Sequence, residues 1–184
     1  MTYTEEWAEM REPTPDTGGR LVYRTADIVP WITGKTVAMI GDGPSKRKYI
    51  FAPERVITFA VNKAALVYPA SMGVAVGTHF DDIAVQLPPW VPILFLGETD
   101  VRRYNIGPGL WTVTVLVALL GRYASRLYIQ GMDLSAPKYL QQLQVFRAMV
   151  KDGRWPSRER VRCLNGGPLS EIFPECEPDE KDIC

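Results

Sequence analysis

Six short apolar runs alternate with helix-like segments along this chain, and that alternation restricts the possible folds more than any other feature. The runs are Thr36–Ile40, Arg55–Val61, Gly73–Val76, Pro92–Leu96, Arg126–Gln130 and Arg160–Leu164. They are too short for helices, and their apolar residues follow one another instead of alternating with polar ones. That is the pattern of strands covered on both faces. Helical spacing or caps mark 26–33, 62–67, 79–86, 110–123, 137–151 and 168–173 between them, with Thr25 expected to cap the first and Pro30 to limit it. Strands that alternate with helices predict a mostly parallel sheet of about six strands with helices on both faces. The fold expected is α/β, a Rossmann-like three-layer sandwich.

A chain of 184 residues, 46% hydrophobic and 23% charged, suits one such domain. Residues 1–20 are polar and broken by Pro13, Pro15, Gly18 and Gly19, so they read as a flexible arm; 21–174 read as the domain. Residues 175–184 read as an acidic, frayed tail. Basic and acidic residues balance at 21 each, which removes the electrostatic prompt for duplex nucleic acid. No apolar stretch approaches the roughly 20 residues of a membrane span, and no signal peptide is visible. Cys163, Cys176 and Cys184 are odd in number and fit no zinc spacing, as expected of free thiols in a reducing compartment. These features predict a cytoplasmic protein with no membrane partner.

In open parallel sheets ligands sit beyond the carboxyl ends of the strands, so the residues after each run carry the functional reading. After the first comes Gly41-Asp42-Gly43-Pro44-Ser45, followed by Lys46, Arg47 and Lys48. Two glycines allow close backbone approach, and free N–H groups at a helix start suit a phosphate. The turn is neither the dinucleotide fingerprint nor a P-loop. After the second comes Asn62, whose amide can read a base or ribose or can cap a helix. After the third come His79, a candidate general acid or base, and Asp81 and Asp82, candidate Mg²⁺ ligands that would equally suit the first turn of a helix.

The loop after the fourth run carries Arg102 and Arg103 and ends in Gly107-Pro108-Gly109, ahead of a helix apolar on nearly all sides. Gly131-Met132-Asp133 follows the fifth, where Gly131 permits close approach and Asp133 can accept from a sugar or base. Asn165-Gly166-Gly167-Pro168-Leu169-Ser170 follows the last. Each loop alone is ordinary turn chemistry. Together they predict a ligand-binding edge.

The ordered set resembles the superfamily of bacterial sialyltransferases that use CMP-sialic acid and the related MptE-like proteins, named after 6-hydroxymethylpterin diphosphokinase. The resemblance rests on Gly41–Ser45 against a Gly-Asn-Gly-Pro-Ser turn, and on Asn62 at a nucleotide-contacting position. It rests also on Pro108-Gly109 against a Ser/Thr-Gly turn, Gly131-Met132-Asp133 against Gly-Ile-Asp, and Asn165–Ser170 against Pro-Asn-Ser-Pro-Leu-Ser. It spans 35–173, and small phage proteins of this group have a similar size. It implies a nucleotide-sugar donor bound by Gly41, Asp42, Gly43, Pro44, Ser45, Lys46, Asn62, Gly109 and Gly131, and sugar transfer to a hydroxyl acceptor, with modified DNA as one candidate acceptor. The family's lid histidine has no counterpart between the fifth and sixth runs, which leaves His79 or Asp133 as the base. The alternatives are a non-catalytic nucleotide-binding module and a pyrophosphokinase-like phosphoryl transferase with Mg²⁺ on Asp81 and Asp82. A fold with few lid elements can complete its site with a second copy, so a homo-oligomer stays open.

Overall fold

The computed structural model describes residues 20–76, 80–96, 112–153 and 158–184. Among these, seven strands form one parallel sheet: β1 (Val22–Tyr23), β2 (Thr36–Ile40), β3 (Val56–Val61), β4 (Met72–Val76), β5 (Ile93–Leu96), β6 (Arg126–Gln130) and β7 (Val161–Cys163). Their spatial order is β1-β5-β4-β3-β2-β6-β7. The α-helices are α1 (Thr25–Ile32), α2 (Phe80–Gln86), α3 (Thr112–Tyr123) and α4 (Leu140–Lys151). The α/β architecture is the one expected, with seven strands in place of about six.

Both sheet faces are buried, which explains the unbroken apolar runs. Val37 and Met39 of β2 face Ile28 and Ile32 of α1, Leu116 and Leu120 of α3, and Phe146 of α4 in one apolar cluster. Ala38 and Ile40, one residue out of phase, join Phe51, Tyr68, Ile83 and Leu164 in the other. Leu143, Phe146 and Met149 of α4 are buried as its spacing predicts, whereas Leu140 is exposed.

Several expectations need correction. Thr25 is not the cap of α1: it lies inside the helix, buried, and the Asp27 carboxylate accepts from the Arg24 amide at 2.8 Å. The segment 168–173 is a set of turns, not a helix; the Ile172 and Phe173 amides both donate to the Leu169 carbonyl. The segment 62–67 is 3₁₀, over Asn62–Leu66, as are the residues at 137–139 that lead into α4.

The ends of the domain also differ. Arg20, assigned to the arm, donates to the carbonyls of Ala84, Leu87, Pro88 and Val91 at 2.6–3.0 Å. It thereby satisfies acceptors at the carboxyl end of α2, where a cation is favoured. The edge strand β1 then pairs with β5. The tail at 175–184 is built into the fold instead of frayed. Asp182 is buried and accepts from the Tyr128 hydroxyl at 3.0 Å, Arg126 bonds Asp179, and Ile183 bridges to Phe51. Five other charged side chains in the tail concealed one buried carboxylate, Asp182, whose partner is a tyrosine in the middle of β6.

Candidate functional site

The sheet reverses its winding beside β2. The chain builds β3, β4 and β5 outward on one side of β2 and then returns to place β6 on the other. Ile40 is level with Gln130, the last residue of β6, and with Ala60, one residue before the end of β3. The carboxyl ends of β2 and β6 therefore mark a topological switch point, the place where open sheets of this kind bind ligands.

Two predicted loops meet there. The Gly41 amide donates to the Gln130 carbonyl at 2.8 Å, and the Gly43 amide to the Gly131 carbonyl at 2.7 Å. A Cβ on Gly43 would lie 2.0 Å from Asp133 Oδ2, and one on Gly41 2.5 Å from Met132 sulfur. Gly131 has φ +71, and a Cβ there would lie 2.4 Å from the Gly41 carbonyl oxygen. The glycines thus serve a close approach, as expected, but the approaching group is the other loop.

Asp133 closes the junction. Its Oδ2 accepts from the Ser45 hydroxyl at 3.1 Å and from the Ser45 amide at 3.3 Å. The two donors of Ser45 are therefore occupied by a carboxylate of the chain itself, and the Gly41 and Gly43 amides by backbone carbonyls. The basic residues that follow are also engaged: Lys46 with Asp42, Arg47 with the Val67 carbonyl, and Lys48 with the Leu164 carbonyl. The Lys46–Asp42 pair is largely exposed and contributes little to stability. The segment Pro44–Arg47 is a single 3₁₀ turn, so the expected α-helix start is absent.

Gln130 is the residue that sequence reasoning missed. It is fully buried at the end of β6. Its Oε1 accepts from the Tyr49 amide, and its Nε2 donates to the Lys46 and Tyr49 carbonyls, all at 2.9 Å. One side chain thus replaces a missing strand partner for the segment that carries the three basic residues. The available signal was a polar residue closing an apolar strand, since buried amides take partners.

Asn62 follows β3 directly and lies in the left-handed region, at φ +52. It heads the 3₁₀ turn without a side-chain cap, and its Oδ1 is buried with no partner among the described residues. Asn165 follows β7, and its Oδ1 is likewise buried without a partner there, while its Nδ2 donates to the Gly166 carbonyl. The Gly166 and Gly167 turn has φ +62 and +75, and a Cβ on Gly167 would lie 3.6 Å from the Asp133 carbonyl oxygen. The β7 turn therefore lies against the Asp133 loop.

His79 and Gly109 lie outside the described residues, as do Arg102, Arg103 and Pro108. Asp81 and Asp82 fall in the first turn of α2; Asp82 is exposed, and the Asp81 side chain is outside the described set. Among the described residues no group of three or more His, Cys, Asp or Glu could hold a metal ion. The thiols of Cys163 and Cys176 are pushed up, chiefly by burial, and pack on opposite sheet faces. Neither is a candidate nucleophile. No described helix is long and apolar enough to cross a membrane. No protein-family model matches the chain, and no curated protein matches it.

Proposed function

We propose that this chain binds a nucleotide sugar along the carboxyl rim of its sheet and transfers the sugar to a hydroxyl acceptor. The observation that carries the reading is the switch point beside β2. It brings Gly41–Ser45 and Gly131–Asp133 into one junction, with Asn62 on one flank and Asn165 on the other. Asn62 is the residue we assign to the base, because its amide oxygen lacks a donor among the described residues.

In the transfer, the acceptor oxygen attacks the anomeric carbon and the bond from that carbon to the phosphate oxygen breaks. The nucleotide leaves with the bonding pair, and a base takes the acceptor's proton. Asp133 and His79 are the candidates. Asp133 has one oxygen committed to Ser45 and the other without a donor among the described residues.

Titration calorimetry with CMP, UDP and GDP and their sugar conjugates tests the donor assignment. Binding is expected for one base, weakened in Asn62→Ala. Heat changes absent for all three at millimolar concentration would end it. A second reading, a non-catalytic nucleotide-binding module, is favoured by the commitment of Asp133 to Ser45. It predicts tight binding with no product by mass spectrometry. The Mg²⁺-dependent phosphoryl-transfer reading gains no support from the described residues.

A further inference from the structure

Residues 177–184 cross the fold as a strap. Among the described residues, their hydrogen bonds and ion pairs to the rest of the chain reach only Arg126 and Tyr128 of β6 and the segment 48–52. The strap starts where 174–176 run along the outer edge of β7. There the Cys163 amide donates to the Pro174 carbonyl at 2.9 Å, and the Cys176 amide to the Cys163 carbonyl at 3.1 Å. At its far end the Ala52 amide donates to the Asp182 carbonyl at 2.9 Å and the Cys184 amide to the Ile50 carbonyl at 2.8 Å, while Phe51 bridges to Ile183. Between these points Glu177 accepts from the Tyr49 hydroxyl and faces the Lys48 ammonium at 4.0 Å. The Asp179 amide donates to the Tyr128 hydroxyl at 3.2 Å.

The segment 46–52 belongs to no strand ladder; its one β contact is the bridge to the strap. Gln130 holds its start, through the Lys46 carbonyl and both backbone groups of Tyr49, and the strap holds its end. Tyr49 belongs to both anchors, with its backbone on Gln130 and its hydroxyl on Glu177. Lifting the strap would take away the acceptor of the Ala52 amide and the donor to the Ile50 carbonyl, and would release the Tyr49 side chain. A stretch ordered by tertiary partners opens with them, at a lower free energy than the buried sheet. We propose that the strap and the segment 46–52 open and close as one unit, separately from the sheet, and that the strap thereby sets the position of Lys46–Lys48 beside the switch point. This device goes beyond the binding reading above and does not depend on it. The Lys48–Glu177 and Arg126–Asp179 pairs are exposed and hold the strap weakly. Asp182, buried and bonded to the Tyr128 hydroxyl, is its pin.

The test is amide hydrogen exchange on the ¹⁵N-labelled full chain. In the unaltered protein the Tyr49, Ala52 and Cys184 amides are expected to share one protection level, below that of the β2 and β3 amides. Asp182→Ala withdraws the acceptor of the Tyr128 hydroxyl. It is expected to speed exchange about tenfold at Ala52 and Cys184, and by the same factor at Tyr49, although that amide is bonded to Gln130 and not to the strap. Coupling is reciprocal, so Gln130→Leu should speed the Cys184 amide as well. Glu177→Ala, at an exposed side chain, should act about twofold on the same three amides, and it decides the matter if Asp182→Ala does not fold. Protection of the three amides equal to that of β2 and β3 would overturn the proposal. So would an unchanged Tyr49 amide where Ala52 and Cys184 accelerate, or no acceleration in any folded variant.

Discussion

The carboxylate of Asp133 accepts from both the hydroxyl and the amide of Ser45, 88 positions earlier in the chain. This pair joins the loops after the two strands that flank the switch point. An aspartate here does the work that a bound anion does in many glycine-rich turns.

Removing that carboxylate frees the Ser45 turn. Asp133→Ala is expected to lower unfolding free energy by about 1–3 kcal/mol, because two donors lose a charged acceptor in a half-buried site. Ser45→Ala, which keeps the amide bond, should cost roughly half as much. Urea denaturation of both variants checks this; an Asp133→Ala change within 0.5 kcal/mol of zero, roughly the surface-substitution level, would contradict it.

Gln130 should matter more than any exposed residue of the loop. Gln130→Leu leaves the Tyr49 amide and the Lys46 and Tyr49 carbonyls without their partner, at an expected cost of about 2–4 kcal/mol. Hydrogen exchange at the Tyr49 amide should accelerate selectively, ahead of the amides of β2 and β3. Uniform acceleration across the sheet would instead mean that the loop and core open together.

Two glycines separate steric need from conformational need. Gly43→Ala places a methyl group 2.0 Å from Asp133 Oδ2 and 2.5 Å from the Gly131 carbonyl oxygen, so the loop junction must open. Gly34→Ala meets nothing within 4 Å but holds φ +73, and should cost only about 1 kcal/mol through its backbone. Thermal unfolding should rank Gly43→Ala as clearly the worse. The reverse order would show that the two loops are not held together as described.

Alkaline stability should depend on Tyr68. Burial pushes its hydroxyl from the ordinary value near 10 up to about 12, against a lowering hydrogen bond from the Phe51 amide. Between those values the unfolded chain releases the proton while the folded chain keeps it. The unfolded state then binds fewer protons, and stability falls as pH rises from about 10 to 12. The full two-unit shift corresponds to about 2–3 kcal/mol. Tyr128, also raised by burial, acts in the same direction. Tyr68→Phe should flatten part of the decline measured by denaturation between pH 9 and pH 12, a window set by these shifts. An identical slope in both proteins would assign the loss to other groups.

How far the sequence could be read varies with the range of the interaction. Thr36–Ile40 and Arg126–Gln130 match their strands to the residue, because both are buried on two faces and bounded by glycine on the carboxyl side. β1 was missed: two residues with half-buried side chains carry no periodic signal, and only pairing with Ile93 and Leu94 makes them a strand. The glycine spacing at 41–45 announced a close approach correctly. It could not say that the approaching group is Asp133, because the same spacing serves a ligand or a neighbouring loop.

The apolar pattern alone determined the layers, the parallel sheet and the edge at which the polar loops gather, since burial on both faces leaves its mark residue by residue. Tertiary structure alone decided which polar groups are spent and which remain open. Donors and acceptors distant in sequence, such as Gln130 with Tyr49, Arg20 with the end of α2, and Asp182 with Tyr128, pair only once the strands are ordered in space. Hydrogen bonds are local in space and not in sequence. An acceptor such as Asn165 Oδ1 can therefore be identified as unpartnered only after its neighbours have been brought beside it.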